Sequence, residues 1–141
     1  MDIRQITPDY AVSPQITPAD LVALKAAGFT TVIDNRPDAE IAGDLHAPVM
    51  RAAAEALGLT FVANPIIGGA LTMANVTAQR AAMDAATGPV FAYCASGNRS
   101  SMVWALAEAR NRPVDDLVGL PARFGYQLDH LRPQIEALAR G

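Results

Sequence analysis

Val90-Phe91-Ala92-Tyr93-Cys94-Ala95-Ser96-Gly97-Asn98-Arg99-Ser100-Ser101 reads as strand, tight loop and helix start. Val90 to Tyr93 is a short apolar run opened by Gly88-Pro89, the signature of a strand buried on both faces. From Arg99 to Arg110 the residues Met102, Val103 and Leu106 recur at helical spacing. Cys94 stands at the C-terminal end of the strand. Small side chains after it let consecutive backbone N–H groups curl toward one point, Gly97 permits a left-handed backbone angle, and the helix adds the positive end of its dipole. The pattern predicts an anion cradle with a thiol at its centre.

Working outward, the same alternation repeats. A helix is predicted from about Pro18 to Ala27, with Thr17 as N-cap, Asp20 at its third position and Gly28 as its stop. Thr30 to Asp34 follows as a β-branched strand running into Asn35-Arg36-Pro37, and Tyr10-Ala11-Val12 reads as a short additional strand. Helix from about Pro48 to Leu57, strand from Leu59 to Ala63, loop from Pro65 to Gly69 and helix from about Met73 to Ala86 complete the approach to Val90. Two more helices are expected, from about Val114 to Phe124 and from Asp129 to Leu138. Parallel strands need crossover connections, so the series predicts an α/β fold of three layers, a mostly parallel sheet with helices on both faces. Ligands in such folds bind beyond the strand C-termini, where Cys94 stands.

With 141 residues, 51% of them apolar, the chain suits a single domain spanning residues 1–141. Its net charge of −3 argues against a nucleic-acid partner and a membrane surface. No apolar run is long enough to span a bilayer, and Met1-Asp2-Ile3-Arg4-Gln5 lacks the layout of a secretion signal, so a cytoplasmic location is expected. One cysteine and two histidines, His46 and His130, give no metal-ligand cluster and imply no cofactor. Both histidines read as surface residues.

A thiol in the predicted cradle is set up as a nucleophile, with Arg99 as a permanent charge beside it. The competing reading of Cys94 as a small core residue gives no reason for Ser96, Gly97, Asn98 and Arg99 to follow. The spacing Cys94-x4-Arg99 resembles the loop of rhodanese-type sulfurtransferases, one residue shorter than the Cys-x5-Arg loop of cysteine phosphatases. ITPDYAVSPQITPADLVALKAAGFTTVIDNRPDAE (6–40) and YCASGNRSSMVWALAEA (93–109) closely resemble the bacterial beta-lactamase-hydrolase-like family. That resemblance implies a cysteine-phosphatase-like fold and either phosphatase or sulfurtransferase activity. In some members it implies fusion to a persulfide dioxygenase, which makes such an enzyme a candidate partner.

Phosphatases of this fold protonate the leaving oxygen with an Asp on a loop before the catalytic strand, help worth about 10²–10⁴-fold. Between Glu55 and Asp84 this chain has no carboxylate, and the corresponding loop, Asn64 to Ala70, is neutral and glycine-rich. Asp34 and Asp38 are the possible substitutes. The missing acid and the short loop both favour sulfur transfer, from a small-molecule sulfur donor to an acceptor thiol, with a cysteine-dependent phosphatase as the alternative and an anion-sensing or sulfur-carrier binding module as the third reading. Cys94 is then the nucleophile, Arg99 supports the charge, and Ala95, Ser96, Gly97, Asn98 and Ser100 line the anion site. Arg36 either holds an anionic substrate or pairs with a structural carboxylate. Ser100 or Ser101 either bonds the thiolate or caps the helix. Asp34-x-Arg36 followed by Glu40 is rhodanese-like, but Gly43 to Pro48 departs from the rhodanese turn, so the frame is expected to be phosphatase-like.

Overall fold

A computed structural model describes residues 1–141. Five strands form one sheet in the order β1-β2-β5-β3-β4: β1 Arg4–Thr7, β2 Tyr10–Ser13, β3 Thr31–Asp34, β4 Thr60–Ala63 and β5 Val90–Tyr93. The pairs β2–β5, β5–β3 and β3–β4 are parallel, and β1 joins β2 antiparallel. The expected mostly parallel α/β architecture is present. β5 lies at the centre, which is why all four of its residues are apolar and buried.

Successive side chains alternate between the two faces. On one face Tyr10, Val12, Ile33, Val90 and Ala92 meet α3 Met73–Ala85, α4 Asn98–Ala107, α5 Val114–Ala122 and α6 Arg132–Arg140. On the other, Ala11, Val32, Phe91 and Tyr93 meet α1 Pro18–Ala26 and α2 Ala47–Ala56. The Asp20 carboxylate accepts the Thr17 N–H at 2.9 Å, which fixes the start of α1 as expected.

β1 is not among the strands expected from the sequence pattern. Its segment Arg-Gln-Ile-Thr buries only Ile6 and Thr7, and it becomes a strand by pairing with β2 across the Pro8-Asp9 turn. No helix is long and apolar enough to cross a membrane.

Candidate active site

The turn from β5 into α4 is shaped at Gly97. Its φ of +94° is left-handed, and a Cβ there would stand 2.1 Å from the Tyr126 hydroxyl oxygen, so only glycine fits. The Gly97 N–H donates to Cys94 Sγ at 3.1 Å. On the outside of the loop, the Ser96 carbonyl accepts from the Tyr126 hydroxyl at 2.7 Å and from Arg4 Nη1 at 3.4 Å. Arg4 Nη1 also donates to the Tyr126 hydroxyl at 2.6 Å. The loop is thus pulled outward at Ser96 and inward at Cys94, which is fully buried at its floor.

Arg99 is held above its ordinary pKa chiefly by its bonds to Glu40, with a smaller electrostatic contribution from Cys94. Its guanidinium is held by two partners far apart in sequence. Nη1 donates to Glu40 Oε2 at 2.8 Å and to the Ile66 carbonyl at 2.7 Å, and Nη2 donates to Glu40 Oε1 at 2.8 Å. A guanidinium has five N–H donors. These bonds occupy three and leave Nε–H and one Nη2–H, a single edge, unclaimed by these partners.

Glu40 is therefore part of the site, though the sequence had offered it only as a point of rhodanese likeness. The Arg99 bonds, with help from Arg36, hold its carboxyl below the usual carboxylate range. Arg36 receives the carboxylate role of its two options: Nε reaches Glu40 Oε1 at 3.3 Å and Nη2 reaches the Glu40 carbonyl at 3.4 Å. It meets the cradle through Glu40.

Ser100 is placed differently from expectation. Its hydroxyl is fully buried and donates to Asn35 Oδ1 at 2.8 Å, because the first turn of α4 packs onto the end of β3; only its backbone amide is left for an anion. Ser101 donates to the Gly97 carbonyl at 2.8 Å, closing the helix start. Ala95 and Ser96 are exposed at the rim, Ser96 Oγ accepting the Asn98 N–H at 3.2 Å. Asn98 Nδ2 lies against Met102 Sδ at 3.4 Å, along the helix.

A cavity of about 670 Å³ opens beside Arg99, with Glu40, Gly68, Gly69, Asn98, Met102 and His130 among its walls. His130, read from sequence as an ordinary surface residue, stands on this wall. Asp34 and Asp38 do not. They face a separate cavity of about 360 Å³ on the α2 side. Asp38 Oδ1 accepts the Ala47 N–H at 2.8 Å and anchors the start of α2. Asp34 is buried, which pushes its carboxyl up to about 6 against the opposing bond from the Arg36 N–H. Neither lies on the wall of the cavity beside Arg99. No group of three or more His, Cys, Asp or Glu side chains is gathered to hold a metal.

Comparison with known proteins decides the family. The model of the "Beta-lactamase hydrolase-like protein, phosphatase-like domain" matches residues 2–111. The chain belongs to this family. A beta-lactamase hydrolase-like protein of Agrobacterium fabrum is 34% identical over 130 residues, and one from Xylella fastidiosa strain Temecula1 is 32% identical over 130 residues. The alignments cover 91% of this chain but 30% of those relatives, so the family domain is one part of longer proteins there. A Neisseria meningitidis structure described as a "putative phosphatase" superposes with a TM-score of 0.81 at 28% identity, covering 98% of this chain and 99% of that one. Pseudomonas aeruginosa TpbA superposes at 0.65 with 17% identity, covering 99% and 83%, a likeness of fold alone. The frame is that of the cysteine phosphatases. The names among these neighbours fit the phosphatase chemistry raised from the sequence better than sulfur transfer.

Proposed function

We propose that this family domain is a sulfurtransferase that carries sulfane sulfur on Cys94. The observation behind the reading is the state of the carboxylates. The cavity beside Arg99 contains one, Glu40, which two arginines favour in its ionised form, so it is a poor proton donor, and His130 is the one other side chain on that wall of a type able to give up a proton near neutral pH. Reactions whose leaving groups are stable anions suit such a site. The Cys94 thiolate attacks the outer sulfur of thiosulfate or a low-molecular-weight persulfide; the S–S bond breaks, and sulfite or a thiolate departs with the bonding pair. Cys94 then holds a persulfide. An acceptor thiolate takes the outer sulfur and restores the Cys94 thiolate.

In this scheme the Gly97 N–H, already on Sγ, and the amides of Ala95, Ser96 and Ser100 stabilise the anionic sulfur, while the Asn98 N–H is taken by Ser96 Oγ. The free edge of Arg99 holds the donor's charge, and Arg36 acts through Glu40. The partners are a small-molecule sulfur donor and a thiol acceptor, with a persulfide dioxygenase as the enzyme to consume the product.

A phosphatase that forms a phosphocysteine is the second reading, favoured by the cysteine-phosphatase frame and the names of its neighbours. An alkyl phosphate must expel an alkoxide, which needs a proton. Turnover of thiosulfate and glutathione persulfide, compared with p-nitrophenyl phosphate and a phosphotyrosine peptide at saturation, separates the two. Sulfur transfer should dominate, and any phosphatase activity should be confined to activated aryl esters, with no acidic limb in kcat from a general acid. Rapid phosphotyrosine hydrolysis without sulfur transfer would establish the second reading instead.

A further inference from the structure

Behind the cradle, five polar side chains are buried together: Tyr10 on β2, Asn35 after β3, Asn64 after β4, Gln79 on α3 and Ser100 on α4. Buried polar groups need partners, and here every bond can be followed. Ser100 Oγ donates to Asn35 Oδ1 at 2.8 Å, and Asn35 Nδ2 donates to Gln79 Oε1 at 3.0 Å. Gln79 Nε2 donates to the Tyr10 hydroxyl at 3.0 Å, and that hydroxyl donates to the Ser100 carbonyl at 2.9 Å. The four bonds close a ring in which each residue donates to the next.

The direction of the ring is dictated by two backbone carbonyls, which only accept. Asn35 Nδ2 also faces the Asn64 carbonyl at 3.0 Å, and Asn64 Nδ2 faces the Asn75 carbonyl at 2.9 Å, so neither amide can be turned over. Asn64 Nδ2 donates as well to Gln79 Oε1 at 2.9 Å. With two donors on its oxygen, Gln79 must present nitrogen to Tyr10, and the tyrosine's one proton goes to Ser100.

Two supports of Arg99, its own helix backbone and the Ile66 carbonyl, hang from this ring, whereas Glu40 holds the guanidinium independently of it. Ser100 follows Arg99 in the first turn of α4, and the ring holds its hydroxyl and its carbonyl. The Asn35 carbonyl accepts the Ile66 N–H at 2.9 Å, and the Ile66 carbonyl takes Arg99 Nη1 at 2.7 Å. Asn75 Nδ2 holds the same loop at the Pro65 carbonyl, 3.0 Å. Gln79 itself is absent from the cavity wall.

We infer that Gln79 is a positioning residue, the hub of a one-directional hydrogen-bond ring that aims Arg99 and the first amides of α4 at Cys94. The inference rests on Cys94 being the reactive thiol of the cradle, whichever substrate it attacks.

The test is the rate of Cys94 alkylation by iodoacetamide at one fixed pH, read by intact mass, beside the urea midpoint. Gln79→Met keeps the volume and breaks the ring. Tyr10→Phe removes one oxygen and keeps the stacking on Trp104, whose ring centroid lies 5.9 Å away. Each folded variant should react about tenfold more slowly than the wild type, the scale of one misplaced hydrogen bond in an activation barrier. The double variant should be no slower than either alone, since both break one ring. A rate equal to or faster than wild type in a folded variant, or losses that multiply, would overturn the inference. So would a wild-type thiol that does not react. Should Gln79→Met fail to fold, Tyr10→Phe decides by the same criterion of rate.

Discussion

Gly97→Ala is expected to damage both stability and activity, and its cost can be worked from two contacts. At φ +94° an L-residue pays roughly 1–2 kcal/mol for the left-handed backbone. The added Cβ would lie 2.1 Å from the Tyr126 hydroxyl oxygen and 2.9 Å from the ring carbon bearing it, so the tyrosine must move. Moving it forfeits the bond to the Ser96 carbonyl, worth about 0.5–1.5 kcal/mol net. The sum, about 1.5–3.5 kcal/mol, should lower the urea midpoint by roughly 0.8–1.8 M at a denaturant slope of about 2 kcal/mol per M. Equilibrium urea unfolding with coincident fluorescence and circular dichroism measures it. In a double-mutant cycle, Tyr126→Ala should cost less in the Gly97→Ala protein than in the wild type, because the clash is then gone. A Gly97→Ala midpoint within about 0.2 M of wild type would refute the steric argument.

Arg99→Ala should lower kcat/KM at least about 100-fold, since it removes the charge beside Cys94 and leaves Glu40 and the Ile66 carbonyl without their partner. Arg36→Ala acts only through Glu40 and should cost less than about tenfold; steady-state kinetics of both distinguishes them, and equal losses would contradict the placement of Arg36. Asp34 gives a pH signature. Its carboxyl is raised to about 6 by burial, so between about pH 4 and 6 the unfolded chain ionises while the folded one keeps its proton. Stability should fall through that window and level off above it. Asp34→Asn should abolish the fall and gain at most about 3 kcal/mol over wild type at pH 7.5 but little at pH 4. Urea unfolding at the two pH values measures this, and a gain of the same size at both would show that ionisation is not its cause.

The residues around Cys94 were legible because their signals are local. A buried four-residue strand, a loop of small residues and a helix start sit within twelve consecutive positions, and backbone geometry alone makes them a cradle. The side-chain partners were not legible. Glu40 and Arg99 are 59 positions apart, Ser96 and Tyr126 are 30, and Tyr10 and Ser100 are 90. Nothing in the local pattern of Gln79 marks it as a buried polar residue of an otherwise ordinary Ala-rich helix, and Ser100 reads equally well as a thiolate donor until Asn35 is seen beside it. β1 was hidden for a related reason: Arg4 and Gln5 are polar, and the strand exists only through its pairing with β2.

The proposed role of Cys94 as a sulfur carrier is read out by the intact mass of the protein after separate incubation with thiosulfate, glutathione persulfide and an aryl phosphate, with Cys94→Ser as the control. One sulfur atom should be gained from the first two, lost on reduction by a thiol and absent from folded Cys94→Ser protein. A phosphoryl adduct on Cys94 with no added sulfur would contradict that role.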